Sequence, residues 1–207
     1  MIKKTLILLI ALVTILAIVY FYQNNKNYTI PTENILQPMT EKTENANPEA
    51  VSALERGGSS FSDPDASFSI LYPGEYKQDT QGENQYRIYK QGPTQTGQTE
   101  MYDGVIINFE TIDLEGQALS KWVDERISLS TQDGTSSLIE AKKEIKVNDY
   151  PGYSYTMRGL GAFEILVIQK NMNSNFAVGI TSLIADPGNL GFEQEFANIL
   201  STITLLK

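Results

Sequence analysis

The sequence predicts an α+β fold in which helices pack on an antiparallel β-sheet. Three observations predict it. From Phe61 onward, short segments alternate apolar and polar residues as half-buried strands do, turn residues separate these segments at hairpin-like distances, and only two segments place apolar residues at helical spacing. Strands and helices do not alternate regularly along the chain, as they would for a parallel sheet. We expect one transmembrane helix and a flexible stalk to precede this domain.

The chain begins with an apolar segment that is long enough to cross a membrane. Residues 5–22 carry no charge, no Gly and no Pro, and they lie between Lys3-Lys4 and a polar run that starts at Gln23. As a helix these residues would cover roughly 27 Å, close to the roughly 30 Å of a bilayer core. The lysines before the segment favour a cytoplasmic amino terminus and an extracytoplasmic domain. We therefore predict that residues 1–22 form the cytoplasmic flank and the anchor of a single-pass protein of the cell membrane.

A cleaved signal peptide is the alternative for this segment. Signal peptides also begin with basic residues and continue with an apolar run. Here the run ends in Val19-Tyr20-Phe21-Tyr22, where cleavage needs small residues, and the three aromatic side chains suit the outer interface of a membrane. The residues at its end therefore favour a retained anchor.

Residues 23–60 are predicted to form the stalk. They are rich in Asn, Thr, Glu and Pro, so they carry too little apolar surface to build a core. One short helix is expected within them, over residues 48–56, because Asn47 is a good N-cap, Pro48 fits the first helical position and Gly57 is a natural stop. We expect the boundary of the folded domain at residues 57–60, so that the domain spans residues 61–207.

Within the domain, the alternating pattern predicts strands over residues 67–72, 86–90, 104–111, 139–147, 152–158, 162–170 and 175–184. Pro73-Gly74 is read as a turn, and residues 91–98 as a loop. Helical spacing predicts an amphipathic helix over residues 117–129, with Trp122 on its buried face, and a second helix at the end of the chain. The apolar stripe of that last helix consists of Phe192, Phe196, Ile199, Leu200 and Ile203.

The composition excludes several kinds of chemistry. The 207 residues contain no Cys and no His, which excludes disulfides, thiolate nucleophiles, imidazole bases and histidine-ligated metals. The net charge of −9 lies entirely in residues 61–207, so we expect the domain to be repelled by nucleic acids and anionic lipids. Its expected partners are proteins, cations or neutral ligands. No cofactor is predicted.

Two groups of acidic residues are candidates for binding a hard cation. One is Asp63 with Asp65, and the other combines Asp113, Glu115, Asp124 and Glu125. Calcium binds several oxygens at once, but neither group has the spacing of a calcium loop. Solvated surface charge is the preferred interpretation of both groups.

Three further patterns could indicate catalysis, and each has a structural alternative. Glu110 and Glu125 could form the carboxylate pair of a glycoside hydrolase. The distance between the two carboxylates decides whether they can act in this way. Ser120 with Lys121, Lys142 or Lys143 could indicate a Ser-Lys hydrolase, although no S-x-x-K motif is present and helix capping explains Ser120. Gly159-Leu160-Gly161 could resemble a phosphate loop, but it joins two predicted strands, as a hairpin turn does.

Tyrosines are frequent near the predicted turns and strand ends. Tyr72, Tyr76, Tyr150 and Tyr153 each lie close to a Pro-Gly pair, and tyrosine is enriched in protein interfaces. We predict that these four rings cluster at one end of the sheet as an interaction patch. The alternative is that they are ordinary strand residues with a hydrated hydroxyl.

The order of several segments resembles a known family. The segments are FSILYPGEY (68–76), SKWVDE (120–125), DYPGYSYTMRG (149–159), AFEILVIQKN (162–171) and FEQEFANILSTITLL (192–206). In this order they are similar to the PsbP/DcrB-like superfamily, and the resemblance covers nearly all of residues 61–207. It implies a central antiparallel sheet flanked by helices and an extracytoplasmic accessory or binding role. It implies no site residue. The anchor and the absence of histidine differ from the photosynthetic members.

The sequence therefore predicts a membrane-anchored, extracytoplasmic binding or accessory module with a protein partner, and no catalytic site. Two alternatives remain. One is a hydrolase or transferase that uses carboxylates on an envelope or extracellular substrate, and the other is an assembly factor that responds to cations.

Overall fold

The computed structural model describes residues 47–65, 67–96, 100–159 and 161–206. The predicted anchor and residues 23–46 of the predicted stalk lie outside these ranges. Within the ranges, no helix combines the length and the apolar character that crossing a membrane requires. The helices are α1 (Pro48–Gly57), α2 (Leu119–Thr131) and α3 (Phe192–Ser201). The strands are β1 (Ser59–Ser62), β2 (Phe68–Tyr72), β3 (Lys77–Gly82), β4 (Gln85–Gln91), β5 (Gly104–Asp113), β6 (Ser137–Val147), β7 (Tyr150–Arg158), β8 (Ala162–Gln169), β9 (Phe176–Ala185) and β10 (Thr204–Leu205).

The strands form two antiparallel sheets. The large sheet has seven strands in the order β3-β4-β5-β9-β8-β7-β6, and the small sheet has three strands in the order β1-β2-β10. Every pairing in both sheets is antiparallel. The predicted α+β class with an antiparallel sheet is therefore confirmed.

Asparagine residues make two of the tight turns in the large sheet. Asn84 between β3 and β4 has φ 61°, and Asn148 between β6 and β7 has φ 54°. Asparagine tolerates this left-handed conformation better than most residues, and hairpin turns that match the strand twist require it. The Asn148 side chain also donates to the carbonyl oxygens of Leu200, Ser201 and Ile203 at 3.4, 3.2 and 3.3 Å, so this turn also holds the end of α3.

The large sheet has a separate apolar cluster on each face. Because successive strand residues point to opposite faces, Leu166 and Ile168 face one side of β8, whereas Ile165 and Val167 face the other. The first face is covered by the small sheet and α3, with Phe68, Phe109, Phe192 and Phe196 among its fully buried side chains. The second face is covered by α2 through Leu119 and Val123, with Trp122 and Ile127 half-buried beside them. The large sheet is thus a middle layer.

Ordered structure begins upstream of Phe61. The Asn47 side chain accepts from the Glu49 amide at 3.0 Å and so caps α1, as its sequence predicts. The backbone amide of Asn47 donates to Asn198 Oδ1 on α3 at 3.1 Å. Ser59 and Ser60 belong to β1 and pair with Tyr72 and Leu71 of β2. Residues 47–60, which composition assigns to the stalk, therefore contact the elements that follow them.

The structure corrects two other details of the sequence analysis. Strand β3 was not predicted, because its residues KQDTQG are polar and exposed, as an edge strand permits. Pro151 and Gly152 lie inside β7, and the turn before them is formed by Asn148 and Asp149. Gly152 is required there because a Cβ atom would lie 2.2 Å from the Val167 carbonyl oxygen on β8.

Candidate functional site

A pocket of about 220 Å³ lies where α2 crosses the second face of the large sheet. One wall comes from α2, where Trp122, Arg126 and Ser130 follow one another at intervals of four residues and therefore share one side of the helix. The Arg126 guanidinium lies 5.7 Å from the centre of the Trp122 ring, which is within the range of a cation–π contact. Ser136, in the connection after α2, closes one end of the pocket.

The sheet supplies an apolar floor to the pocket. Tyr155 and Met157 of β7 and Ile165 and Val167 of β8 contribute side chains from the same face. Gly179 of β9 contributes none, and a Cβ atom there would lie 3.1 Å from Ile112 Cδ1. The lack of a side chain at this position lets Ile112 pack closely over β9.

The pocket also carries polar groups. Glu110 of β5 faces Arg126, with 3.8 Å between the carboxylate and the guanidinium. This is an ion pair but is longer than a hydrogen bond, and the two side chains are 38% and 48% exposed. Burial raises the pKa of Tyr155. The positive charge of Arg126 lowers this pKa and the negative charge of Glu110 raises it, but burial is the largest effect. The Tyr155 hydroxyl therefore stays protonated at neutral pH.

Beyond the pocket, the same face of the sheet has a half-covered part on β4, β5 and β9. The strand register aligns Tyr89 with Ile106 and Ile106 with Leu183, which gives an apolar row across three strands. A polar row runs beside it through Arg87 and Asn108, whose side chains form a hydrogen bond of 3.0 Å. The side chains of both rows are half-buried.

The predicted carboxylate pair is not formed. Glu110 lines the pocket and pairs with Arg126, whereas Glu125 accepts from Gln117 Nε2 at 2.9 Å and pairs with Lys121 at 3.6 Å. Glu125 does not line the pocket. These contacts give the two carboxylates different neighbours, so the arrangement does not support hydrolysis by a facing acid and base.

The predicted contact between Ser120 and a lysine is present, but it does not make an activated nucleophile. Lys142 Nζ lies 2.9 Å from Ser120 Oγ and only 2.6 Å from Asp124 Oδ1, and it sits over the Tyr153 ring. Lys142 Nζ donates to both the carbonyl and the hydroxyl oxygen of Ser120 and pairs with Asp124, so it acts as a donor to the serine and attaches α2 to β6. The expectation that Ser120 caps the helix is wrong, because α2 has Ala118 at its N-cap.

The acidic residues that were candidates for cation binding do not share one site. Asp63 is buried and accepts from the Ser67 amide at 3.0 Å, while Asp65 is exposed. Asp113 accepts from the Glu115 amide at 2.8 Å. Across the described ranges, no three acidic side chains come together in a way that could hold a metal ion.

The four candidate tyrosines do not form one exposed patch. Tyr72 and Tyr76 are close, with ring centres 6.4 Å apart, but both are buried and belong to the first-face cluster. Tyr150 packs against the same cluster and accepts from the Leu205 amide, at 3.1 Å. Tyr153 packs on the other face, beside α2. Packing and backbone contacts therefore account for these residues.

Sequence reasoning missed an ionic cluster at the start of α3. Lys90 Nζ lies 2.8 Å from Glu195 and 3.2 Å from Glu75, and the Tyr76 hydroxyl donates to Glu195 at 2.9 Å. Hydrogen bonds and attraction from both carboxylates outweigh burial and raise the pKa of Lys90. Lys90 and Glu195 are 105 residues apart, so no local motif could have indicated the cluster. Its contacts attach α3 to β4.

The Gly159–Gly161 segment is the hairpin turn that the sequence predicts. The Gly159 amide donates to the Gly161 carbonyl oxygen at 2.9 Å, and the segment joins β7 to β8. It precedes a strand and no helix, so it lacks the helix amino terminus of a phosphate loop.

Comparisons with known proteins concern the fold alone. No family model matches the chain, and no curated protein sequence matches it. Similar solved structures include a protein of Bacteroides thetaiotaomicron, at 14% identity and a TM-score of 0.43 over 73% of this chain and 49% of that one. They also include cyanobacterial PsbP (CyanoP) of Synechocystis sp., at 10% identity and a TM-score of 0.44 over 72% of this chain and 93% of that one. A third is the Ran-binding protein Mog1p of Saccharomyces cerevisiae, at 8% identity and a TM-score of 0.45 over 72% and 95%.

PsbP and Mog1 structures are thus among the structural neighbours of this chain. The chain spans about half the length of the Bacteroides protein. At these identities the likeness gives no information about an activity or a partner.

Proposed function

We propose that this chain is a membrane-anchored, extracytoplasmic binding or accessory module with a PsbP/DcrB-like domain, and that it holds a protein partner at the pocket beneath α2. The apolar residues 5–22 and the lysines before them support the anchor and its orientation. The observation that carries the binding role is the pocket itself, which combines an apolar floor with a few polar groups at its wall. Such a combination is typical of binding sites.

The contacts of the polar side chains favour binding over catalysis. The carboxylate of Glu110 pairs with Arg126, and among the lining residues of the pocket no second carboxylate faces it. Ser120 and Lys142 do not line the pocket, and the lysine is held by Asp124. The groups at the pocket are suited to orienting a bound side chain.

Position-specific photo-crosslinking in native membranes tests the proposal. Benzoylphenylalanine is introduced into the full-length chain at Ser130, an exposed residue at the pocket, or at Ala53, an exposed residue of α1. Because α1 contacts α3 and the small sheet, Ala53 lies on the side of the large sheet away from the pocket. We expect a protein adduct from the Ser130 position that the Ala53 position does not give.

A pocket-filling variant serves as the specificity control. Thr181→Phe places an aromatic ring on the floor, and Thr80→Phe makes the same change at an exposed position of the edge strand β3. The adduct should be lost with Thr181→Phe and retained with Thr80→Phe. Identical adducts from both crosslinker positions, or none from Ser130, would contradict the proposed function.

A further inference from the structure

We propose that the pocket beneath α2 accepts a single tyrosine side chain from a protein partner whose surrounding surface is basic. This inference rests on the proposed function and specifies the chemistry of the partner. Four properties of the pocket support it: its volume, its walls, its polar pair and the charge of the domain around it.

The volume selects a side chain over a larger ligand. Pockets that bury drug-sized molecules or cofactors usually enclose roughly 300 to 1,000 Å³. This pocket encloses about 220 Å³. Protein interfaces often place one anchoring side chain in a pocket on the partner, and the anchor is most often Trp, Tyr or Arg.

The walls favour an aromatic ring. Trp122 and Phe163 supply aromatic surface, and Met157 and Ile165 supply aliphatic surface. Gly179 lines the same pocket without a side chain. Aromatic rings bury a large apolar area and gain further from contacts with other rings and with a methionine sulfur.

The polar pair favours an anchor that is neutral and carries a hydroxyl. Glu110 and Arg126 lie 3.8 Å apart, too far for a direct hydrogen bond, so each retains hydrogen-bonding capacity. A charged anchor would be attracted by one member of the pair and repelled by the other. A phenol can donate to the carboxylate and accept from the guanidinium at once. Tyrosine satisfies both groups, whereas Phe and Leu satisfy neither.

The mouth and the domain charge indicate the surface around the anchor. Leu138 pairs with the pocket residue Met157 across β6 and β7 and is 40% exposed. Exposed apolar residues beside a pocket are typical of protein contacts. Residues 61–207 contain eleven basic and twenty acidic residues. This excess attracts a basic surface and speeds its association.

Trp122 provides a direct measurement of occupancy. It is the only tryptophan of the 207 residues, so the emission of the full-length chain in detergent micelles, excited where tyrosine does not absorb, reports on the pocket. The probes are four capped tripeptides: Lys-Tyr-Lys, Lys-Phe-Lys, Lys-Leu-Lys and Glu-Tyr-Glu. Lys-Phe-Lys differs from the first by one hydroxyl, and Glu-Tyr-Glu differs from it only in the flanking charge.

We expect Lys-Tyr-Lys to change Trp122 emission with a Kd of about 1 mM or below, and the other three tripeptides to bind at least about 3-fold more weakly. Thr181→Phe should abolish the response, and Thr80→Phe should preserve it. In Glu110→Leu/Arg126→Leu, which removes both the acceptor and the donor, the preference for Tyr over Phe should disappear while Lys-Phe-Lys binds at least as well as before. A loss of preference without a loss of binding would show that Glu110 and Arg126 recognise the hydroxyl. If the pair only stabilised the fold, the variant would weaken all of the tripeptides together.

Three results would overturn the inference: equal affinities for the Tyr and Leu tripeptides, a response that Thr181→Phe leaves unchanged, or no response up to about 10 mM. None of these results bears on the crosslinking experiment, which asks whether any protein contacts the pocket. A crosslinked partner together with a silent titration would reject the tyrosine anchor and keep the binding role. A titration as expected without any crosslink would keep the preference of the pocket for a tyrosine side chain and reject a protein partner in these membranes.

Discussion

Removing the Asp186 carboxylate should destabilise the domain through α3. Asp186 lies in the connection before this helix, and its two oxygens accept from the amides of Leu190, Gly191 and Phe192 at 2.6, 2.8 and 3.1 Å. A helix leaves its first amides without partners, and a negative charge at this end is also favourable. The N-cap residue itself is Gly191, which has no side chain to accept these bonds. Asp186 is therefore the group that satisfies the start of α3.

The magnitude follows from which amides can reach water. Leu190 is exposed, so its amide can be hydrated in Asp186→Ala, whereas Phe192 is buried and its amide would lose its partner. Losing a capping acceptor costs about 0.5 to 2 kcal/mol, and losing the favourable charge at the helix end adds about 0.3 to 1 kcal/mol. We expect a total of about 1 to 3 kcal/mol. Because 1 kcal/mol shifts Tm by roughly 2 to 4 °C in a domain of this size, Tm should fall by roughly 2 to 12 °C.

Thermal unfolding of the full-length chain in detergent, followed by far-ultraviolet circular dichroism, measures this change. Asp186→Asn keeps one oxygen acceptor and should lose about half as much. Asp149→Ala is the matched control, because Asp149 is 97% exposed and contacts only Lys146, at 3.0 Å. An exposed ion pair of this kind contributes about 0 to 1 kcal/mol. If Asp186→Ala melts within about 1 °C of Asp149→Ala, the reasoning about the helix start is refuted.

Three further predictions concern other parts of the fold. Gly152→Ala should lower Tm by several degrees, because the added Cβ would meet the Val167 carbonyl oxygen at 2.2 Å, whereas Gly57→Ala, with open space around it, should not lower Tm. Burial and the nearby Asp63 raise the pKa of Tyr86 to about 12 from 10.0, so its contribution to stability is full below pH 10 and is lost as pH rises towards 12. Alkaline unfolding of Tyr86→Phe should therefore begin at a higher pH than that of the unaltered chain. In hydrogen exchange, amides of α2 should exchange faster than those of α3, because α2 buries two side chains and α3 buries six; equal protection would contradict this.

Local patterns were sufficient to predict much of the fold. The apolar spacing of residues 119–127 and 192–203 depends only on neighbouring residues. Helix α2 begins two residues after its expected start, and α3 contains four of the five residues of the predicted stripe. Alternating strands such as residues 104–111 were recognisable for the same reason. Strand β3 was missed because an exposed edge strand needs no apolar residues. Strand β10 was missed because two residues are too few to show an alternation of apolar and polar side chains. Contacts such as Lys90 with Glu195 depend on the completed fold and have no local signal.

The pocket could not be predicted for a related reason. Its residues come from α2, β5, β7, β8 and β9, and each one is ordinary where it stands in the sequence. The sequence placed Trp122 on the buried face of its helix, but the strands that this face contacts come both before and after the helix in the chain. Gly179 matters to the pocket because it has no side chain, and the sequence alone does not show which residues pack over it. A binding site assembled in this way becomes visible only once the strand register is known.

The unequal attachment of the helices is a reason to place the proposed binding surface on the second face of the sheet. The first face is sealed by large apolar side chains from α3 and the small sheet, and α3 is held further by Asp186, Glu195 and Asn148. On the second face, α2 buries only Leu119 and Val123 and has no capping side chain. Exposing or repacking two side chains costs much less than repacking six, so α2 is the element that can adjust to an incoming side chain at small cost. An anchor that enters beneath α2 would add apolar contacts where the fold has fewest, and binding should therefore order α2 more than any other element.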